Sequence, residues 1–211
     1  MNKDIKIGVI GGTGKAGKYL MRQLVNQGFS IKALVRNPDK LEESGLIEKV
    51  IGDVLDYEAV LNLVNGCNAI ISTLGQSKGQ DTVFCSAGKN IVRAMETLQV
   101  KRYIVLTGLS LDTKSDKKGF RTRMKSLVMR LLFRNIIRDK QDEYKILQTS
   151  KLDWTIVRVP FIELTDSQKD IETSLYDCKG ASISSGDLAS FLIDQISDET
   201  YLRKAPFIWN S

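Results

Sequence analysis

Three glycines near the start of the chain, Gly11, Gly14 and Gly17, are spaced three residues apart and follow an apolar run at residues 5–10. This spacing lets a chain turn tightly out of a strand, approach an anion with no Cβ in the way, and begin a helix packed on that strand. The first turn of such a helix directs its N–H groups and positive dipole end at the anion. The alternative is an ordinary strand-to-helix turn. The predicted diphosphate-binding residues are Gly11, Thr13, Gly14, Lys15, Ala16 and Gly17.

The residue that ends the second predicted strand indicates which dinucleotide the loop would bind. Proteins that prefer NAD place an acidic residue about 20 positions after the glycine turn, where it holds the ribose hydroxyls. Arg36 occupies that position here, 19 residues after Gly17, and Lys40 lies nearby. A guanidinium can pair bidentately with a 2′-phosphate, which a carboxylate would repel. We therefore expect NADP(H) in preference to NAD(H); the alternative is a solvated surface arginine.

Residues at the ends of the next two predicted strands extend this candidate site. Asp53 and Val54 follow the third strand, where the carboxylate either accepts from an adenine amino group or stabilises a turn. Thr73, Leu74 and Gly75 end the fourth strand. Their backbone would run beneath the nicotinamide ribose, because ligands of such sheets bind at the carboxyl ends of the strands.

The residue inventory excludes several kinds of chemistry. The chain has no histidine, which rules out a Ser-His-Asp site and leaves no ligand set for a zinc hydrolase. Cys67, Cys85 and Cys178 lie far apart, in neither a metal-binding spacing nor a disulfide framework. We therefore expect no metal site and a reducing, cytoplasmic environment.

Positive charge is concentrated in one segment. Nine basic and two acidic residues lie between Leu111 and Arg138, a net charge of +7 against +6 for the whole chain. A basic amphipathic helix is predicted over residues 124–137. Three interpretations stay open: a lid that attracts an anionic ligand, a surface for an acidic partner, nucleic acid or anionic membrane, or a solvated helix packed on the domain.

The alternation of apolar runs with helical patterns predicts an α/β fold, a doubly wound parallel sheet with helices on both faces. Strands are predicted over 5–10, 31–35, 49–51, 69–73, 103–106 and 154–159, with a last strand over 206–209 and helices that begin at residues 16, 56, 82, 139 and about 185. Asp56 and Asp81 are predicted helix caps. We expect one domain over 1–211, with a basic helical insertion at about 108–138 and a substrate-side region at about 160–211. Neither a signal peptide nor a membrane span is expected.

Five segments in this order resemble the atypical short-chain dehydrogenase/reductase family, and most closely its NmrA-like and biliverdin reductase B (flavin reductase) branch. They are Ile10–Gly17, Val35–Arg36, Gly52–Asp53, Lys101–Val105 and Leu152–Arg158. The similarity runs from Ile5 to about Ile196. The resemblance implies a Rossmann-type fold and a bound NADP(H). It also implies that Pro160, Phe161 and Ile162 lie beside the nicotinamide.

The chain departs from this family at the catalytic pair. Ordinary members use Tyr-x-x-x-Lys, in which the tyrosine donates a proton and the lysine lowers its pKa. None of the six tyrosines here is followed by lysine at the fourth position; Tyr144 has Lys140 four residues before it. Thr107 stands where the family has serine, with Ser110 beyond it. The candidate catalytic residues are therefore Thr107, Ser110, Lys140 and Tyr144. Lys140 is also a candidate cofactor contact. The alternative for Lys140 and Tyr144 is that they lie on a solvated face of their helix.

Two functions follow as expectations. The first is an NADPH-dependent oxidoreductase that transfers hydride to a small planar or anionic acceptor of flavin, quinone or carbonyl type. The alternative is a non-catalytic NADP(H)-binding redox sensor or interaction protein, which the missing Tyr-x-x-x-Lys pair favours. An isomerase of the same fold is a weaker third option. Nucleic acid is not expected as a partner, because no recognition motif is present. Both a monomer and a dimer fit the sequence.

Overall fold

The computed structural model of the protein describes residues 5–76 and 82–211, so the predicted cap Asp81 lies outside the described residues. The strands are β1 (Lys6–Ile10), β2 (Ser30–Val35), β3 (Ile47–Ile51), β4 (Ala69–Ser72), β5 (Arg102–Gly108), β6 (Asp153–Val159), β7 (Phe161–Glu163), β8 (Ile171–Ser174), β9 (Ser182–Ser184) and β10 (Phe207–Asn210). The helices are α1 (Lys15–Asn26), α2 (Tyr57–Val64), α3 (Phe84–Thr97), α4 (Phe120–Leu132), α5 (Arg134–Thr149) and α6 (Ser185–Asp194).

Eight strands form one sheet in the order β3-β2-β1-β4-β5-β6-β10-β8. Neighbouring strands are parallel from β3 to β10, and β8 pairs antiparallel with β10 at the edge. β7 and β9 form a separate two-stranded sheet. The order reverses between β1 and β4, and such a switch point opens a crevice at the carboxyl ends of the strands.

Helices cover both faces of the sheet, which confirms the predicted doubly wound α/β fold. On one face α2, α3 and α5 pack over the sheet, with Ile91 and Leu147 fully buried there. On the other face α1 packs against α6, and Leu20 and Leu192 lie in that core. Side chains of β1 alternate between the two cores, as those of a central strand must, with Val9 on the α1 face and Ile10 on the α3 face.

The predicted cap Asp56 and the predicted helix from about residue 185 are confirmed. Asp56 caps α2, because its Oδ1 accepts from the N–H of Glu58 at 3.0 Å. The helix from Ser185 is capped by Ser184, whose hydroxyl oxygen accepts from the N–H of Asp187 at 3.0 Å. A 3₁₀ turn at Pro38–Lys40 follows β2 and is capped by the Asn37 side chain.

The helix boundaries predicted in the basic segment were wrong. Instead of one helix over 124–137 and another from 139, α4 ends at Leu132 and α5 begins at Arg134. The break is at Phe133, whose φ of −132° and ψ of 43° leave the helical region. No proline or glycine marks this position in the sequence, and the break allows α5 to turn back and pack along α3.

Candidate functional site

A cleft of about 780 Å³ opens along the carboxyl ends of β1, β2, β4, β5 and β6. At one end it is lined by the ends of β2 and β3, in the middle by the glycine turn and the end of β4, and at the other end by the junction of α4 and α5. The predicted site residues that line it are Gly11, Thr13, Gly14, Lys15, Ala16, Arg36, Asp53, Val54, Thr73, Leu74, Gly75, Thr107, Ser110, Lys140, Pro160 and Ile162. Gly17, Phe161 and Tyr144 are not among the lining residues.

The glycine turn has the close contacts that its spacing predicts. Gly11 has a φ of +81°, and a Cβ on it would lie 2.6 Å from the carbonyl oxygen of Thr73. A Cβ on Gly17 would lie 2.1 Å from the carbonyl oxygen of Gly11, so the start of α1 packs directly on the turn. Gly14 is the N-cap of α1, and no side chain among the described residues caps this helix. The first turn of α1 therefore faces the cleft without a side-chain cap from the described residues, which is the arrangement in which helix N-termini bind anions in other proteins.

The ends of β1 and β4 are joined beside this turn. Both the N–H and the Oγ1 of Thr73 donate to the carbonyl of Ile10, at 2.9 Å and 3.2 Å. The chain then continues through Leu74 and Gly75 along the floor of the cleft. Because a Cβ at Gly75 would meet no atom within 4 Å, this part of the floor is open to a ligand.

Arg36 and Asp53 lie together at the edge of the cleft. The Nη1 of Arg36 is 3.8 Å from the Oδ2 of Asp53, and both side chains are more than one third exposed. Asp53 also accepts a hydrogen bond from the N–H of Leu55 at 2.9 Å. Its carboxylate therefore stabilises a turn, which is one of the two roles predicted for it from the sequence. An ion pair this long and exposed contributes at most about 1 kcal/mol.

The far end of the cleft is apolar and comes from the basic segment. Its lining side chains lie at the α4–α5 junction and at the start of α3: Val83, Met129, Phe133, Ile136 and Ile137. The sequence interpretation did not single out these five residues as site residues. The spacing of 129, 133, 136 and 137 is that of one helical face, which is the signal that could have indicated them.

Lys140 reaches the cleft from the first half of α5. Its Nζ lies 3.0 Å from the Oε2 of Glu143 and 3.8 Å from the ring centroid of Phe84. Glu143 is buried, and burial raises the pKa of its carboxyl while the Lys140 charge opposes that change. Lys140 is thus held at the cleft by one carboxylate and one aromatic ring.

Asp139, the residue before Lys140, holds α5 against the start of α3. Its carboxylate accepts from the N–H of Phe84 at 2.6 Å and from the N–H of Cys85 at 3.2 Å. It therefore caps α3 from another helix, in place of a side chain at the N-cap residue Val83. This contact holds the buried ring of Phe84 beside Lys140, which lines the cleft.

Tyr144 is in the hydrophobic core, and the structure does not bring it together with the other catalytic candidates. It is 8% exposed and packs edge-on against Trp154, with ring centroids 5.8 Å apart. Burial raises the pKa of the Tyr144 hydroxyl, whereas the tyrosine of ordinary family members is made more acidic by its lysine. Phe161, the other aromatic candidate, is 72% exposed.

Thr107 and Ser110 lie on the cleft at the end of β5 and in the segment that follows. Both are at least nine-tenths buried. Thr107 pairs in register with Arg158 of β6, and Pro160 directly follows that strand. Thr107, Ser110, Pro160 and Ile162 all line the cleft, and the register places Thr107 close to Pro160.

The structure also bears on metal binding and on membrane crossing. Among the residues that the structure describes, no group of three or more His, Cys, Asp or Glu is placed to hold a metal ion. In residues 5–76 and 82–211, no helix has the length and apolar character needed to cross a bilayer.

Comparison with known proteins agrees with this geometry. A family model described as NAD(P)H-binding matches residues 11–199, nearly the whole chain and every lining residue of the cleft except Ile10. The chain belongs to this NAD(P)H-binding family. The resemblance noted from the sequence and the Rossmann-type fold are both confirmed.

The chain is similar to one curated protein in sequence and to solved structures in fold, in each case over more than nine-tenths of the other protein. The uncharacterized protein YwnB of Bacillus subtilis is 23% identical over 201 residues, which are 91% of this chain and 92% of YwnB. A short-chain dehydrogenase/reductase from Veillonella parvula, solved in complex with NADP, has a TM-score of 0.79 at 16% identity, over 98% of this chain and 94% of that one. ChuY, an anaerobillin reductase from Escherichia coli O157:H7, has a TM-score of 0.79 at 20% identity over 97% of both chains.

Proposed function

We propose that this protein is an NADPH-dependent oxidoreductase that transfers hydride to a small acceptor of flavin, quinone or carbonyl type. The observation that carries the proposal is the continuity of one cleft, from the helix start at Gly14, which no described side chain caps, to an apolar pocket at Phe133. A dinucleotide would extend along its polar part, and the apolar part would hold a second molecule beside it.

The polar part of the cleft supplies the binding groups. The glycine turn and the first turn of α1, through Gly11, Thr13, Gly14, Lys15 and Ala16, would hold the diphosphate, and Gly17 would let the helix pack directly on that turn. Arg36 would pair with the 2′-phosphate in place of its weak contact with Asp53, because a dianionic phosphate attracts the guanidinium more strongly than one exposed carboxylate does. Asp53 and Val54 would border the adenine.

The strand ends would place the reacting end of the cofactor. Thr73, Leu74 and Gly75 would lie beneath its ribose, and Pro160 and Ile162 beside its ring, with Phe161 exposed at the margin. Bound NADPH supplies the hydride. The role of the protein would be to hold the hydride donor next to the hydride acceptor and to exclude water. Positioning two reactants in this way substantially lowers the activation free energy of the transfer.

The acceptor end combines apolar walls with a few polar groups. Met129, Phe133 and Ile136 would pack on a flat apolar acceptor. The Lys140 ammonium would attract an anionic one, and the hydroxyls of Thr107 and Ser110 would donate hydrogen bonds or a proton. The burial of Tyr144 leaves these three as the candidate catalytic residues that reach the cleft.

A non-catalytic NADP(H) sensor is the second candidate, and one observation favours it. The tyrosine nearest to the family's catalytic motif is packed in the core and is not in the cleft. Flavins and quinones accept hydride with little help from a proton donor, so this observation weighs most against a carbonyl acceptor.

NADPH oxidation, followed by the loss of nicotinamide absorbance, distinguishes the two candidates. FMN, riboflavin and a short-chain quinone are supplied in turn to the wild type, to Phe133→Ala and to Ile51→Ala, an exposed apolar control outside the cleft. We expect turnover with at least one acceptor, unchanged by Ile51→Ala and reduced about tenfold or more in kcat/KM by Phe133→Ala, from the loss of one packed ring. Micromolar NADPH binding with no turnover on any acceptor would leave the sensor as the better account.

A further inference from the structure

The helix α4 presents two different faces. Its inner face is small and polar: the hydroxyl of Thr122 donates to the carbonyl of Cys178 at 3.0 Å, and that of Ser126 donates to the carbonyl of Leu109 at 3.4 Å. These are the two buried residues of the helix. The side of α4 that packs on the protein is therefore not its apolar side, the reverse of an ordinary surface helix.

The outer face of α4 carries an exposed apolar stripe. Phe120, Met124, Leu127 and Leu131 follow one another at helical spacing and are 79%, 44%, 48% and 76% exposed. Val128 lies beside them and is also exposed. Scattered exposed apolar residues are normal, but a contiguous row on one helix indicates a surface that another phase or molecule covers.

Positive charges flank the stripe on both sides. At 100° per residue, Arg121 and Lys125 fall on one side of it, and Arg123 and Arg130 fall on the other. All four are exposed, and no acidic residue occurs from Phe120 to Arg138. Asp112, from the preceding segment, pairs with Arg130. The local charge is therefore strongly positive around an apolar centre.

We propose that α4 is a docking surface for an anionic lipid bilayer, in whose interface it lies parallel to the membrane plane. An apolar stripe flanked by arginine and lysine has the chemistry of such helices: the stripe enters the acyl boundary and the cations meet lipid phosphates. This inference does not rest on the proposed reductase activity.

Two other occupants fit the surface less well. A second copy of the chain would place the same flanking cations opposite each other across a two-fold axis, with like charges facing an apolar contact. A nucleic acid would pair with the cations but would leave the stripe in water, because phosphate contacts need no apolar surface.

Vesicle flotation with the full chain tests the inference directly. Large unilamellar vesicles of phosphatidylcholine alone, or with 30 mol% phosphatidylglycerol, are mixed with the protein at 0.1 M and 0.5 M NaCl. We expect association with the anionic vesicles that is at least tenfold stronger than with the neutral ones, and weaker at the higher salt because surface charges are then screened.

Two pairs of matched variants separate the apolar and charged contributions. Phe120→Ser/Leu131→Ser is compared with Ile51→Ser/Leu164→Ser, which removes two exposed apolar side chains elsewhere. Arg121→Gln/Lys125→Gln is compared with Lys101→Gln/Lys151→Gln, which removes two exposed charges elsewhere. We expect the α4 apolar pair to weaken binding at least tenfold and the α4 charge pair about 25-fold, at roughly fivefold per basic residue, with both controls near wild type.

Circular dichroism establishes that each variant is folded before its binding is compared. Equal binding to neutral and anionic vesicles, or equal binding by the α4 variants and their controls, would overturn the inference. So would a concentration-dependent dimer that Phe120→Ser/Leu131→Ser abolishes, without any vesicle association, since that result assigns the stripe to a second copy.

Discussion

The guanidinium of Arg158 forms a buried ion pair with the carboxylate of Asp116, its Nη1 lying 2.7 Å and 2.9 Å from the two carboxylate oxygens. Arg158 is fully buried, stacks 3.5 Å above the Phe207 ring and donates to the carbonyls of Ala205 and Leu111. Lys118 lies 3.4 Å from the same carboxylate. This network fastens the segment after β5, which covers one side of the cleft, to β6 and β10.

Removing Asp116 should destabilise the fold strongly. The variant Asp116→Ala leaves the Arg158 guanidinium buried without its carboxylate, and breaking a buried pair in this way costs about 3–5 kcal/mol. Urea unfolding measures the loss. Asp142→Ala, which removes the partner of Lys145 from an exposed pair on α5, is the control and should unfold like the wild type. An Asp116→Ala midpoint equal to that of the control would show that the network does not hold this segment.

Gly14→Ala should weaken NADPH binding without unfolding the protein. A Cβ at Gly14 would lie 3.2 Å from the Gly11 carbonyl oxygen, a tight contact, and it would project from an exposed residue at the mouth of the anion site. We expect at least a tenfold loss of affinity, because the diphosphate must approach this backbone closely. Isothermal titration with NADPH gives the affinity and thermal unfolding gives the stability.

Gly45→Ala is the matched control, because a Cβ there meets no atom within 4 Å. It should bind NADPH as the wild type does. If Gly14→Ala also binds normally, the diphosphate is not held at the start of α1.

The buried thiols should make the protein sensitive to alkaline pH. Burial raises the pKa of Cys67 to about 11 from 9.0, so the folded state keeps a proton that the unfolded chain releases. The stabilising effect is complete below pH 9 and is lost as the pH rises toward 11. We therefore expect the free energy of unfolding of the wild type to fall over this range, and that of Cys67→Ser to fall less steeply.

Urea unfolding of both proteins at pH 8 and pH 10.5 gives the two slopes. Cys85→Ser, at a partly exposed thiol, is the comparison and should change the slope less than Cys67→Ser does. Identical slopes for Cys67→Ser and wild type would mean that the Cys67 thiol ionises as readily in the folded state as in the unfolded one.

The parts of the fold that the sequence predicts are those that depend on neighbouring residues. The glycine turn and the Asp56 cap follow from spacing over three to six positions, and the sheet follows from the alternation of apolar runs. The cap that Asp139 places on α3 joins residues 55 positions apart, and the pair of Arg158 with Asp116 joins residues 42 apart. Their partners are determined by packing, which no local pattern encodes.

In the candidate site, too, some features follow from local sequence spacing and others depend on tertiary packing. Arg36 could be assigned by its distance from the glycines, because the length of one βαβ unit fixes that distance. The burial of Tyr144 could not be predicted in this way. Helical spacing puts Tyr144 on the same side of α5 as Lys140, but its ring packs against Trp154 of β6, and that contact joins two elements. The apolar end of the cleft depends on the break at Phe133, which has no sequence signal of its own.

The measurement that tests the central claim most directly is the affinity of the protein for NADPH and for NADH, by isothermal titration, in the wild type and in Arg36→Ala. Lys101→Ala serves as the control for loss of one exposed positive charge. Because Arg36 would pair with the 2′-phosphate, which NADH lacks, the wild type and Lys101→Ala should prefer NADPH by at least tenfold, and Arg36→Ala should lose that preference with little change toward NADH. Equal affinities in the wild type, or a preference for NADPH that survives Arg36→Ala, would contradict the account.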